Sequence, residues 1–97
     1  MMGAMAEVKD NPDQSRYELY LDGERVGLMT YTVVGDVVVT PHTEIDPGHG
    51  GQGLGTLLVS SALDEIRASG RFVEPSCPFV RHFIDANPAY RDLVKAG

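Results

Sequence analysis

What this sequence lacks excludes several classes of function. It has no tryptophan and one cysteine, and 14 acidic residues outnumber 8 lysine and arginine residues, so the formal net charge is -6. General binders of nucleic acid or anionic membranes neutralise phosphates with clustered basic side chains, which this composition does not provide. We therefore expect neither a nucleic-acid partner nor a membrane partner. A single cysteine also excludes an internal disulfide, which favours a reducing compartment.

Long apolar runs are missing as well. Residues 1–6 lack the basic region and apolar core of a signal peptide, and no stretch is long enough to span a bilayer. These features favour a cytoplasmic protein. Residues 10–15 are a polar lead-in, and we expect residues 1–15 to be disordered or an expression remnant. Residues 16–97 are long enough for one domain with a small hydrophobic core.

The first half of the chain predicts strands. Asp22-Gly23 and Gly35-Asp36 are tight-turn signals between segments rich in β-branched and aromatic residues. Three strands joined by such turns predict an antiparallel meander. We expect the third strand to start at Val37 and to continue past Pro41 to Ile45.

The second half predicts helices around one further strand. Apolar residues recur at helical spacing from Leu54 to Ile66, and Phe72-Val73-Glu74 is a short strand pattern. A second helix is expected to start at Ser76 or Cys77, with Pro78 in its first turn. The predicted fold is α+β (mixed α/β), a three-stranded antiparallel meander followed by β-α-β-α. Its strand-helix-strand unit implies a right-handed crossover and a partly parallel sheet.

A glycine-rich stretch from Asp46 to Gly55 runs straight into the first predicted helix. Glycine lets the backbone approach a ligand closely, and the first N–H groups of a helix have no partner within it. Those donors lie at the positive end of the helix dipole and suit a phosphate. The stretch therefore predicts an anion site, with a purely structural helix entry as the alternative.

Two familiar phosphate motifs do not fit this stretch. Gly48-x-Gly50-x-x-Gly53 matches the dinucleotide pattern, but that motif follows the first strand of a repeated βαβ fold, and here hairpin-linked strands precede it. The P-loop pattern fails because no Lys-Ser or Lys-Thr pair closes the loop. The anion site is thus expected to belong to another fold.

Three separated segments resemble the short, GNAT-like N-acetyltransferase family. They are His42-Thr43-Glu44-Ile45 with Gly50-Gly51-Gln52-Gly53-Leu54-Gly55, then Pro75-Ser76-Cys77-Pro78-Phe79-Val80, then Asn87-Pro88-Ala89-Tyr90. The resemblance runs from about Tyr17 to Leu93. In the superfamily, Gln/Arg-x-x-Gly-x-Gly/Ala holds the pyrophosphate of acetyl-CoA on backbone amides. Here the pattern begins at Gly50, where the usual Arg or Gln is missing, while Gly53 and Gly55 match.

The resemblance implies acetyl-CoA or coenzyme A as the cofactor and a set of residues that bind it. It also implies catalytic roles for Cys77, as acyl acceptor or reactive thiol, and for His42 and Glu44, as base or substrate-orienting groups. The implied cofactor-binding residues are Thr43, Ile45, Gly50, Gly51, Gln52, Gly53, Leu54, Gly55, Thr56, Asn87 and Tyr90.

Each candidate side chain also has a structural interpretation. Cys77 could be a small buried filler, and His42 and Glu44 could be exposed strand-end residues. Tyr90 could protonate the CoA thiolate, although packing over the core is favoured. His49 could touch phosphate, but a solvated turn residue is favoured, and His82 is expected on a helix surface. The histidines and Cys77 show no metal-ligand spacing, so no metal site is expected.

The resulting prediction is an acetyl-CoA-dependent N-acetyltransferase that moves an acetyl group to an amine on a small molecule or a protein. Direct transfer and transfer through Cys77 both fit the residues. The alternative is a non-catalytic CoA-binding or acyl-CoA-binding module, or interaction module, of the same fold. The superfamily's additional acceptor-side elements have no counterpart here, and a homodimer would be one way to complete that side.

Overall fold

The five strands of the computed structural model form one mixed sheet in the order β1-β2-β3-β4-β5. The structure describes residues 5–50 and 53–95. The strands are β1 (Ala6–Asn11), β2 (Arg16–Leu21), β3 (Glu24–Val34), β4 (Val37–Ile45) and β5 (Phe72–Glu74), and the helices are α1 (Leu54–Ala68) and α2 (Pro78–Ala86). Two 3₁₀ turns cover Pro47–His49 and Pro88–Leu93.

The sheet confirms the predicted α+β class and its crossover. Strands β1 to β4 are antiparallel neighbours, and β5 pairs with β4 in parallel after the chain passes through α1. The third predicted strand does continue past Pro41 to Ile45 as β4, and α2 does begin with Pro78 after Cys77. The final segment, expected as a short helical turn, is the 3₁₀ turn Pro88–Leu93.

The prediction that residues 1–15 lack structure is wrong for Ala6–Asn11. This segment is β1, and it pairs with β2 from Ala6 opposite Leu21 to Asn11 opposite Arg16, so the antiparallel part of the sheet has four strands rather than three. An edge strand bonds to only one neighbour and needs few apolar side chains. Val8 is the one residue of β1 that packs against the hydrophobic core, so the segment carries little apolar pattern.

The hydrophobic core lies between α1 and the sheet. Helix α1 contacts every strand and inserts Leu58, Ala62, Leu63 and Ile66, all at most 1% exposed, against them. Burying a side chain such as leucine stabilises a fold by roughly 1.5–3 kcal/mol. This packing holds the first turn of α1 over the end of β4, where the glycine-rich stretch lies.

An extra residue in β4 changes which of its side chains face the helices. Thr30 pairs with His42 and Thr32 pairs with Val39, so three steps along β4 oppose two along β3. Such a bulge inverts the alternation of side chains, and it includes Pro41, which has no N–H to donate to a neighbouring strand. Side chains beyond the bulge at odd-numbered positions, Thr43 and Ile45, consequently face the helices.

Strands β4 and β5 are paired over a short length only. Val37, Val38 and Val39 pair with Phe72, Val73 and Glu74, after which β5 ends at Pro75. The Cys77 N–H donates to the Thr40 carbonyl at 2.8 Å, and beyond this bond the two chains separate. Within residues 5–50 and 53–95, no strand pairs with β4 from Thr40 to Ile45 along the edge that faces away from β3.

Candidate functional site

A cavity of about 320 Å³ lies where β4 ends, α1 begins and the first turn of α2 approaches. It is open to solvent on one side and mostly apolar within. Its walls come from the strand end, the glycine-rich stretch and one aromatic ring. The residues that line it are Thr43, Glu44, Ile45, His49, Gly50, Gly53, Leu54, Gly55, Thr56 and Phe79.

The first turn of α1 presents backbone donors to this cavity. Gly53 caps the helix in the left-handed conformation, with φ of 74°, a conformation that glycine adopts readily. No side chain caps the helix, and its first turn has no acidic residue. The N–H groups of Leu54, Gly55 and Thr56 precede the first i→i−4 bond, in which the Leu57 N–H donates to the Gly53 carbonyl at 3.1 Å. These donors are available to an anion.

Gly55 allows α1 and α2 to approach each other closely. A Cβ atom at this position would lie 2.9 Å from Phe79 Cζ, which is closer than real Cβ atoms come to their neighbours. The Phe79 ring, 43% exposed, therefore lies over the backbone of the helix start and forms one wall of the cavity.

The exposed edge of β4 supplies a second set of donors. The Asp46 N–H donates to the Val26 carbonyl of β3 at 2.8 Å, so N–H groups of even-numbered residues at this end of β4 point towards β3. Because N–H directions alternate along a strand, those of Thr43 and Ile45 point the opposite way, into the gap between β4 and β5. Both residues line the cavity.

The backbone at Gly50 does not require glycine. Its φ of -67° and ψ of 153° are extended, and an added Cβ would lie 3.9 Å from the Pro47 carbonyl oxygen, an ordinary contact. The residue lines the cavity, in agreement with a place beside a ligand. Gly51 and Gln52, also predicted to bind the cofactor, lie outside the described residues.

Cys77 is buried beside the cavity rather than in its wall. It is 5% exposed, and its Sγ lies 3.6 Å from Thr43 Oγ1. Burial raises the pKa of the thiol, but the nearby N–H groups of Val80, Phe79 and Thr43 and the Thr43 hydroxyl outweigh burial and lower the pKa overall. The thiol thus lies at the N-terminal end of α2, close to its first N–H groups, although no side-chain hydrogen bond caps the helix.

His42 and Glu44 form an exposed pair on the opposite side of β4 from Thr43. His42 Nε2 lies 2.7 Å from Glu44 Oε1, and both side chains are 57% exposed. Glu44 lines the cavity, whereas His42 is not among its lining residues. The structure therefore brings a carboxylate to the cavity mouth and connects it to an imidazole in solvent.

Asn87 and Tyr90 are not brought to the cavity. Asn87 Nδ2 donates to the Phe83 carbonyl at 2.8 Å, at the end of α2. The Tyr90 hydroxyl donates to Asp64 Oδ1 at 2.9 Å, and its ring packs against Phe83 with centroids 5.4 Å apart. The hydrogen bond to Asp64 raises the pKa of Tyr90. Both residues have structural partners in the C-terminal half of the chain.

His49 differs from the expected solvated turn residue. It is half-buried, it lines the cavity, and its Nδ1 is buried without a hydrogen-bond partner among the described residues. One feature of the sequence could have indicated a place for His49 in the cavity. The residue directly precedes Gly50, and position 50 is where the superfamily pattern has Arg or Gln. His82, in contrast, is exposed on α2 as expected.

The donor set suits an anionic ligand with an extended body rather than a metal. In the part of the chain that the structure describes, no group of three or more His, Cys, Asp or Glu side chains could hold a metal ion. None of the helices within that part is long and apolar enough to cross a membrane. The open N–H groups of α1, the His49 ring beside them and the close approach at Gly55 fit a phosphate-bearing molecule.

Solved structures with the same architecture are N-acetyltransferases or proteins like them. A GCN5-like protein from Staphylococcus aureus, solved by NMR, superimposes with a TM-score of 0.71 at 22% identity, covering 94% of this chain and 89% of that chain. The ribosomal-protein-S18-alanine N-acetyltransferase from Escherichia coli gives 0.62 at 21% identity over 73% of this chain, and the ribosomal-protein-alanine N-acetyltransferase from Brucella melitensis gives 0.55 at 16% over 84%.

At these identities the likeness shows the fold alone. This chain covers 49% of the Escherichia coli enzyme and 64% of the Brucella enzyme. A comparison with functionally curated proteins gave no significant match. The family model of GCN5-related N-acetyl-transferases, however, matches residues 16–93, which span the sheet from β2 onward, both helices and the cavity. The chain belongs to the GCN5-related N-acetyltransferase family.

Proposed function

We propose that this protein is an acetyl-CoA-dependent N-acetyltransferase. One observation carries the proposal: two separate sets of backbone donors, at the start of α1 and along the edge of β4, open into the same cavity. A phosphate-bearing thioester needs donors at two places along its length, one for the phosphates and one for the carbonyl oxygen. This cavity offers both on rigid secondary structure.

The phosphates would be held by the N–H groups of Leu54, Gly55 and Thr56. Successive N–H groups at a helix start form a concave anion site, and the dipole of α1 adds a favourable potential. The lack of acidic residues in the first turn of α1 supports this role. Coenzyme A can therefore be bound although the chain carries a formal net charge of -6.

When bound, acetyl-CoA supplies a thioester whose carbonyl carbon is the electrophile. The N–H of Ile45 would donate to the carbonyl oxygen and stabilise the negative charge that develops on it during transfer, whereas the Thr43 N–H lies towards the Cys77 sulfur. Removing one such donor from an enzyme commonly costs about 10²–10³ in rate. Because this donor belongs to a strand, its position needs no rearrangement during the reaction.

Glu44 would accept the proton that the acceptor amine must lose. The neutral amine nitrogen then forms a bond to the carbonyl carbon, the carbon–sulfur bond breaks, and the departing thiolate takes up a proton. Glu44 lies at the cavity mouth, and His42 at 2.7 Å can pass the accepted proton to solvent. This exposed carboxylate–imidazole pair supports an amine as the acceptor.

The surroundings of Cys77 favour direct transfer of the acetyl group to the amine over a mechanism that passes through an acetylated cysteine. The thiol is 5% exposed, does not line the cavity, and is engaged with Thr43 and the start of α2. Attack by its sulfur would require breaking those contacts. Incubation with acetyl-CoA followed by intact-mass measurement should show no acetyl adduct on Cys77, and a stable adduct that disappears in Cys77→Ser would overturn direct transfer.

Calorimetry with coenzyme A tests the proposal most directly. We expect micromolar-range binding of CoA and acetyl-CoA, and the absence of binding at millimolar CoA would refute the proposed function. Thiol release from acetyl-CoA with a polyamine or a peptide α-amine then measures transfer. Glu44→Gln should slow it about 10²-fold or more, whereas Glu7→Gln, an exposed residue of the edge strand β1 that does not line the cavity, should not.

Binding without transfer to any amine would favour the non-catalytic alternative, a CoA-binding module of the same fold. The calorimetric and kinetic arms of the experiment therefore separate the two functions. The same protein preparation serves both measurements.

A further inference from the structure

We infer that His49 supplies the side-chain contact to the CoA pyrophosphate that the superfamily pattern assigns to Arg or Gln at position 50. The inference rests on the proposed function, because it names a residue for the same ligand. It also predicts that the chain has moved this contact by one residue rather than lost it.

The first observation is an unpaired nitrogen. His49 Nδ1 is buried and has no hydrogen-bond partner, the only such side-chain atom among residues 5–50 and 53–95. A buried polar atom without a partner is unfavourable, and native proteins leave few of them. Turning the ring over, so that a carbon atom takes the buried place, would remove this cost.

The second observation is position. His49 ends the 3₁₀ turn Pro47–His49, and its own N–H donates to the Asp46 carbonyl at 2.8 Å, which fixes its backbone. The residue lines the cavity together with Gly53, Gly55 and Thr56. Rotation of the ring about its Cβ–Cγ bond exchanges Nδ1 with Cδ2, which leaves a carbon atom in the buried place and frees the nitrogen for a ligand.

The third observation is charge. The cavity is lined by one carboxylate, Glu44, and by no lysine or arginine of the described residues, so His49 is its one side chain able to carry positive charge. An imidazole N–H that donates to a phosphate oxygen forms a charge-assisted hydrogen bond, stronger than one between neutral groups. His49 is therefore the side chain suited to the pyrophosphate.

Gly50 supplies the fourth observation. Its extended backbone and the 3.9 Å distance from an added Cβ to the Pro47 carbonyl show that a side chain would be tolerated there. The glycine is thus not demanded by the turn. A contact made from position 49 explains how the site can do without a side chain at 50.

The test compares two ligands on three variants. Coenzyme A carries the pyrophosphate, and pantetheine carries the thiol arm without any phosphate. His49→Ala should weaken CoA binding about tenfold and change pantetheine binding less than about twofold. Adding Gly50→Arg to His49→Ala should restore most of the CoA affinity. The matched control His82→Ala removes an exposed histidine outside the cavity and should change neither.

Two results would overturn the inference while leaving the proposed function intact. Either His49→Ala binds CoA as tightly as the unchanged protein, or it weakens CoA and pantetheine equally. If the unchanged protein binds no CoA, the proposed function itself fails. Should His49→Ala unfold, nitrogen NMR of the unchanged protein replaces it: the His49 ring signals should shift with CoA and not with pantetheine, and no shift with CoA would refute the contact.

Discussion

The two helix starts, at Gly53 and at Cys77, lie beside the same gap between β4 and β5 and are built in opposite ways. Helix α1 starts from a glycine in the left-handed conformation, and its first N–H groups open into the cavity. Helix α2 starts from a buried cysteine followed by Pro78; no side-chain hydrogen bond caps it, but the first N–H groups lie close enough to the sulfur to lower the pKa of the thiol. One helix start opens into the cavity, and the other is closed off from solvent by the buried Cys77.

The difference shows two uses of the backbone N–H groups at the start of a helix. At α2 the buried Cys77 side chain covers the first N–H groups, so they face the protein interior. Where only glycine precedes them, they remain free for a ligand, at some cost in stability. The closed start at Cys77 also holds Thr43, so the stable helix start supports the wall of the open one.

The largest expected effect comes from closing the open start. Gly53→Glu places a carboxylate at the start of α1 and strains a residue with φ of 74°. Its charge would occupy the donors proposed for phosphate, so CoA affinity should fall about a hundredfold or more, measured by calorimetry.

Gly23→Glu is the matched control for this substitution. Gly23 also has positive φ, at 87°, and like Gly53 it has open space around an added Cβ, but it lies in the hairpin between β2 and β3. It should lower stability and leave CoA affinity within about twofold. Equal loss of affinity in both variants would mean that the effect at Gly53 is general destabilisation.

A smaller effect, on stability, is expected at the contact between Gly55 of α1 and Phe79 of α2, where the two helix starts meet. Gly55→Ala would bring Cβ to 2.9 Å from Phe79 Cζ, so the exposed ring must move, while the higher helix propensity of alanine offsets part of this cost; we expect a net loss of about 1 kcal/mol in the free energy of unfolding. Urea denaturation measures this loss. In a Phe79→Ala background the same change should cost much less, and an undiminished cost would contradict the contact.

The closed start should respond to the capping ability of residue 77. Serine can accept from the first N–H groups of α2 and alanine cannot, so Cys77→Ser should be more stable than Cys77→Ala by about 1 kcal/mol in denaturation experiments. Equal stability of the two variants would show that the sulfur fills space and does not cap.

The smallest effect is a dependence of that cap on pH. Folding lowers the pKa of Cys77 below its ordinary value of 9.0, so the thiolate is favoured in the folded state. The resulting stabilisation is fully present above 9.0 and is lost as pH falls through the lower folded value. The difference in unfolding free energy between the unchanged protein and Cys77→Ala should therefore grow as pH rises towards 9.0. A constant difference would contradict a thiolate cap.

The strength of local patterns explains how much of the fold could be predicted. Hairpin turns, helical spacing and Pro78 are strong local signals, and the elements from β2 to α2 follow them. Segment Ala6–Asn11 carries one core-packing side chain, Val8, and its strand depends on pairing with β2, which no local pattern reveals.

The candidate site was predictable in its backbone and less so in its side chains. The glycine-rich stretch indicated open N–H groups, because a glycine at a helix start has no side chain that could bond to them. The roles of His49, Asn87 and Tyr90 depend on which way each side chain turns in three dimensions. Tyr90 meets Asp64, 26 positions away in the chain, and spacing along the sequence does not encode that contact.

The bulge in β4 makes the site depend on a residue count. Three steps along β4, from Val39 to His42, oppose two along β3, and the bulge at this extra residue decides which side of the strand each later position occupies. If β4 kept all its residues but paired without the bulge, Thr43 and Ile45 would face solvent and His42 and Glu44 would face the helices. Deleting Pro41 would remove the extra residue and the bulge together, so regular alternation would still place Thr43 and Ile45 against the helices. Inserting one residue between the bulge and Thr43 without a second bulge would instead turn the lining of the site outward.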